Sequence, residues 1–167
     1  MDNTVTLPRY ADGEGVHVMA VAVAPTTGAG QFTFNYINQS GDAKTSPVQF
    51  CTTTASNIAS LITSQQGVAG SAGGPFLNLA SGDTGVRQIT GVNMTVLNGG
   101  LFALVLVKPL LDAAIREINT TAEVQCIRTK PFVPRVVDGA YLNLIVNCAG
   151  SIAAGTLAGF AKFAWST

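Results

Sequence analysis

Few residues in this chain have side chains that could do chemistry. There is one histidine, His17, three cysteines, Cys51, Cys126 and Cys148, and nine Asp and Glu residues. A lone histidine without a neighbouring ligand excludes most His-based metal sites. His17 opens a strand-like run and reads as a rim residue rather than a base. The cysteines are widely spaced, form no CxxC pair and leave one over from any intramolecular pairing. None has a neighbour that would lower its pKa, so they read as small buried residues. The carboxylates sit mainly in turns, and their spacing proposes no acid–base pair. Ser81-Gly82 lacks the frame of a nucleophile elbow. The glycine-rich stretch 65–74 lacks the Lys-Ser/Thr of a phosphate loop. Asp83 lies in a turn without the alternating acids of a calcium loop and is placed to cap its own backbone. The expectation is a protein that is not an enzyme and takes no metal and no cofactor.

The one basic cluster is Arg128, Lys130 and Arg135, held near Phe132 by Pro131 and Pro134. Three charges without an aromatic stacking platform make a poor nucleic-acid site. They fit a solvated turn or an ion pair between subunits better.

The composition points to association. Apolar residues make up 47% of the chain and charged residues 11%, with zero net charge. Soluble domains are nearer about 25% charged. No field draws the molecule to nucleic acid or an anionic membrane, and no apolar run is long enough to cross a bilayer as a helix. Such a surface suits a subunit largely covered by its neighbours. The first residues show no signal-peptide pattern, which predicts a cytoplasmic product with reduced thiols.

The elements that position these residues read as strands. Residues 16–24 form an apolar strand stopped by Pro25. In residues 31–38, Phe32, Phe34 and Tyr36 alternate with polar residues, the pattern of a half-buried antiparallel strand. Residues 44–53 return from it, with Val48 and Phe50 as the apolar partners. Residues 86–96 and 101–107 predict a hairpin whose second arm, seven apolar residues long, is buried on both faces. Further strands are expected at 75–79, 122–129, 140–147 and 160–165. Short helices are expected over 54–64, from Ile58, Leu61 and Ile62, and less regularly over 110–121. The whole predicts an all-β, single-domain β-sandwich, jelly-roll-like or Greek key, with one or two short helices. Residues 1–10 form an extended arm, and residues 11–167 form the domain.

Three segments carry a resemblance: Leu-Pro-Arg-Tyr-Ala-Asp-Gly-Glu-Gly-Val at 7–16, Pro-Phe-Leu-Asn-Leu-Ala-Ser-Gly-Asp-Thr-Gly-Val-Arg at 75–87, and Val-Pro-Arg-Val-Val-Asp-Gly-Ala at 133–140. Together they resemble virion structural proteins of tailed bacteriophages, of the kind produced alongside the major capsid protein. The resemblance implies a capsid decoration or cement protein, made in the host cytoplasm and bound to the outside of the shell. Its partners would be the major capsid protein and one or two further copies of itself, as a dimer or trimer. Contacts are expected from the arm, Leu7, Pro8, Arg9 and Tyr10, and from the region of Arg128, Lys130, Phe132 and Arg135. Two other functions compete with this one: a tail or adhesion subunit that binds a host surface, and a glycan-binding sandwich that would use Trp165, the single tryptophan.

Overall fold

The computed structural model describes residues 7, 9–27, 30–51, 58–62, 64–65, 74–96, 99–115, 121–124, 134–146, 158–159, 161 and 163. Among these residues the chain is all-β, with seven strands and no helix. They are β1 (His17–Thr27), β2 (Gln31–Asn38), β3 (Ala43–Thr45), β4 (Gln49–Cys51), β5 (Ser64–Gln65), β6 (Val86–Val96) and β7 (Gly99–Val107). They form two antiparallel sheets arranged as a sandwich. In the larger sheet β2 is central. It pairs with β6 on one side and with β3 and β4 in succession on the other, and β5 continues beyond β4. The smaller sheet pairs β1 with β7.

The core follows from alternation. Phe32, Phe34 and Tyr36 of β2 are wholly buried, as are Val18, Ala20 and Ala22 of β1. Large rings from one sheet meet small side chains from the other in a single buried cluster. Phe102, Leu104 and Leu106 of β7 close the same cluster, and the Phe32 and Phe102 rings lie 4.9 Å apart across it.

Several expectations need correction. β6 and β7 do not form a hairpin, because β6 pairs with β2 and β7 with β1. Each strand has one apolar row for the core. Facing each other across the sandwich buries those rows as well as lying side by side would. β7 is not buried on both faces, since Leu101 is 64% exposed. β1 continues past Pro25 to Thr27, with irregular register on either side of Ala24 that accommodates the missing N–H.

No helix forms at 58–62. Ala22 N donates to Ser60 O (2.9 Å), Ala59 N to Ala22 O (2.8 Å) and Ile62 N to Ala20 O (2.9 Å). The open edge of β1 takes these main-chain groups, and that outweighs a weak three-residue apolar period. Residues 110–115 also carry no helix.

On the return from β2 the inward residues are Gln49, opposite Phe32, and Cys51, rather than Val48 or Phe50. The buried amide of Gln49 is satisfied by Pro47 O (2.7 Å), Asn78 O (3.0 Å) and Asn78 N (3.1 Å). Residues 140–146 join no strand ladder, and most of their apolar side chains are exposed.

Candidate functional site

Three turns, far apart in the sequence, are tied together at one end of the sandwich. The first, residues 10–16, reverses tightly. Gly13 N donates to Tyr10 O (2.7 Å), Val16 N to Gly13 O (3.0 Å) and Glu14 N to Asp12 Oδ1 (3.2 Å). It docks on the turn that precedes β6. Gly15 N donates to Thr84 O (3.1 Å), Thr84 Oγ1 to Glu14 Oε2 (3.1 Å) and Val86 N to Val16 O (3.1 Å). Arg87 Nε reaches Asp12 O (3.1 Å) and Gln39 O (3.0 Å), binding both to the turn after β2. Gln39 Oε1 in turn accepts from Thr84 N (3.1 Å) and Gly85 N (3.2 Å). Residues 134–140 join through Arg9 Nη2, which donates to Gly139 O (2.9 Å).

Lys108, at the exit of β7, donates to Glu14 O and lies 5.3 Å above the Tyr10 ring. That is cation–π distance. The inner end of the expected arm is thus fastened to the body, with Tyr10 at a positive φ of 55°. Leu7 is half-buried and Arg135 is exposed. Pro8, Arg128, Lys130, Phe132 and Trp165 lie outside the described residues.

Asp83 does not cap its own turn. Its carboxylate accepts from Tyr36 Oη (2.6 Å) and Asn38 Nδ2 (2.9 Å), while Ala80 N donates back to Tyr36 Oη (2.9 Å). Burial opposes ionisation of Asp83. The hydrogen bonds from Tyr36 and Asn38, with the charge of Lys44, outweigh it and hold the carboxyl below its usual range. Burial and the same hydrogen bond push the Tyr36 phenol up to about 12.

The two shifts act at opposite ends of the pH scale. A carboxyl with a lowered folded pKa stabilises the fold above its unfolded value and loses that contribution as pH falls through the folded value. A phenol with a raised folded pKa contributes fully below its unfolded value, about 10, and loses that contribution as pH rises through the folded value. Urea midpoints are therefore expected to drop below about pH 4, and Asp83→Asn is expected to flatten that drop. An equally steep acid limb in the variant would remove Asp83 from this role.

A small cleft of about 300 Å³ lies beside this cluster, between His17, Phe76, Asn78, Leu79 and Thr84. His17 stacks on Phe76 with ring centroids 4.7 Å apart. Burial, then the charge of Lys108, lowers its pKa and favours the neutral ring. Arg87, Gln39, Lys108, Tyr36, Asn38 and Asp83 each hold main chain or another side chain. Among the described residues no group of three His, Cys, Asp or Glu side chains could hold a metal ion.

Exposed apolar side chains lie on the outside of the β1–β7 sheet. Opposite pairs there are His17 with Val107, Met19 with Val105 and Val21 with Ala103, apolar apart from the histidine, and of these Met19 is buried. Leu101, Val105 and Val23 are exposed. Residues 140–146 are a second exposed apolar stretch, with Tyr141 at 99% and Leu144 at 75%. Sequence reasoning missed Arg87, Gln39 and Lys108 because each acts through main-chain carbonyls or amides far away in the chain. The glycine and Asx signals did mark the turns they hold. No protein-family model, curated protein or solved structure matches the chain.

Proposed function

We propose that the protein is a capsid decoration protein that binds the outside of a phage head and bridges major capsid subunits. The observation that carries this reading is the uncharged apolar outer face of the β1–β7 sheet, with Leu101, Val105 and Val23 open to solvent. Apolar faces of that kind mark protein–protein contacts. The reading is supported by the scarcity of charge across the chain. It is supported also by the hydrogen bonds that join the three phage-like segments at one end of the sandwich. A protein that binds only the assembled shell stabilises that state by mass action. Repetition over the shell adds avidity, so each contact can be weak.

The test is copy number in purified virus particles by quantitative mass spectrometry. One copy per shell subunit, or a simple fraction of that, is the expected result. A handful per particle would instead make the protein a tail or adhesion subunit. Absence from particles would overturn both readings.

A further inference from the structure

Residues 140–146, Ala-Tyr-Leu-Asn-Leu-Ile-Val, carry no charge and have the composition of a strand. Alternation puts Leu142, Leu144 and Val146 on one side and Tyr141, Asn143 and Ile145 on the other. A segment of this kind normally belongs in a sheet. Here it pairs with no strand among the described residues, and Leu144 is 75% exposed.

β7 has the matching deficiency. It is paired with β1 along one edge, and no strand lies along its other edge among the described residues. Its nine residues hold no charge and no proline, although edge strands of soluble proteins are usually blunted by one or the other. Among the described residues, each copy therefore carries one strand-like segment outside any sheet and one sheet edge without a neighbour, both neutral.

We propose that residues 140–146 of one copy add as an edge strand to β7 of a second copy, and that the exchange is reciprocal. Pairing would satisfy the main chain of both segments, in which Leu144 N now donates to Asn143 Oδ1 (2.8 Å). The all-apolar row of Leu142, Leu144 and Val146 suits the side of β7 that carries Phe102, Leu104 and Leu106 towards the core. Tyr141 and Ile145 then extend the apolar outer face beside Leu101 and Val105.

Area decides for reciprocity. A seven-residue strand is about 23 Å long and covers a strip about 10 Å wide. One addition buries roughly 450 Å² over both partners, the scale of an accidental contact. Two additions reach roughly 900 Å², close to where specific interfaces begin. The outer-face contacts of Tyr141 carry the total further. Reciprocal exchange also closes with two-fold symmetry, whereas one-way addition would grow open chains. The dimer is a property of the chain itself and does not depend on whether the protein sits on a shell.

The test uses the full chain. Light scattering after size exclusion is expected to give twice the chain mass, and the double variant Asn143→Pro/Leu144→Pro is expected to give a monomer with an unchanged far-ultraviolet spectrum. One of two successive N–H groups must face β7, so the pair of prolines removes a ladder donor, and the exposure of both residues leaves the core intact. Hydrogen exchange followed by mass spectrometry adds a readout that needs no variant. On dilution of the wild-type protein, amides of 99–107 and 140–146 are expected to lose protection together, in step with the fall in mass. A wild-type monomer would overturn the proposal. So would a dimer that survives Asn143→Pro/Leu144→Pro, or dissociation that leaves protection at β7 unchanged.

Discussion

Phe32→Ala is expected to lower the unfolding free energy by about 3–5 kcal/mol, read from the urea midpoint. The side chain is wholly buried, on the strand at the middle of the larger sheet, between Gln49 on one side and Met94 on the other. Its ring meets Phe102 of the opposite sheet at 4.9 Å. Truncation removes the transfer energy of the ring and leaves a cavity with sheets on both sides, which has little room to collapse. Domains of this size are stable by about 5–15 kcal/mol, so the loss is a large fraction of the total.

A companion substitution tests the two-sheet arrangement. Val105→Ala changes the outer face of β7 and, in the monomer, is expected to cost less than about 1 kcal/mol. If β7 lay in the middle of the core with both faces covered, as its unbroken apolar run predicts, Val105→Ala would cost about 2 kcal/mol or more. Equal losses from the two variants would contradict the arrangement described here.

That contrast also marks how far the sequence could be read. The alternation of 31–38 identified β2 and its buried row, because a period of two has one structural meaning for an antiparallel strand. The run at 101–107 was legible as a strand, but its neighbours were not. An apolar outer face, open in the single chain, looks the same in sequence as one covered by the chain's own core. The helix expected over 54–64 had an apolar period, but at 58–62 the competing force was the open edge of β1, which is distant in sequence. Gln49 escaped notice because a buried amide is satisfied by main chain at Asn78, which no local pattern encodes. Of the expected contact residues, Arg9 and Tyr10 prove to be joined to the body. The cluster around Phe132 is represented only by Arg135. The turns themselves were legible from Asp-Gly and Gly signals, but their meeting was not.

The meeting of the turns yields the second large effect. Gly85→Ala is expected to destabilise the protein by about 3 kcal/mol, at the upper end for overpacking. A Cβ at Gly85 would fall on the Gly13 carbonyl oxygen, and it would lie 2.8 Å from Gly15 N. Both obstacles are backbone, so no rotamer change relieves them. The first turn must move away from the second, which breaks the bonds from Gly15 N to Thr84 O and from Val86 N to Val16 O. Gly91→Ala is the control. The nearest atom to its added Cβ is Asn35 Nδ2 at 3.7 Å, an ordinary contact, and alanine loses less chain entropy on folding than glycine. That variant is expected to be neutral or up to about 1 kcal/mol more stable. Thermal unfolding distinguishes the two, and hydrogen exchange locates the damage, with Gly15 and Val86 amides exposed in Gly85→Ala while β2 stays protected. The inner end of the arm is held by the same turn, through Tyr10 O and the Lys108 bond to Glu14 O. Loosening it should therefore weaken attachment to particles more than the loss of stability alone accounts for. If attachment by Gly85→Ala tracks only the folded fraction, the clustered turns serve the fold and do not set the direction of the arm.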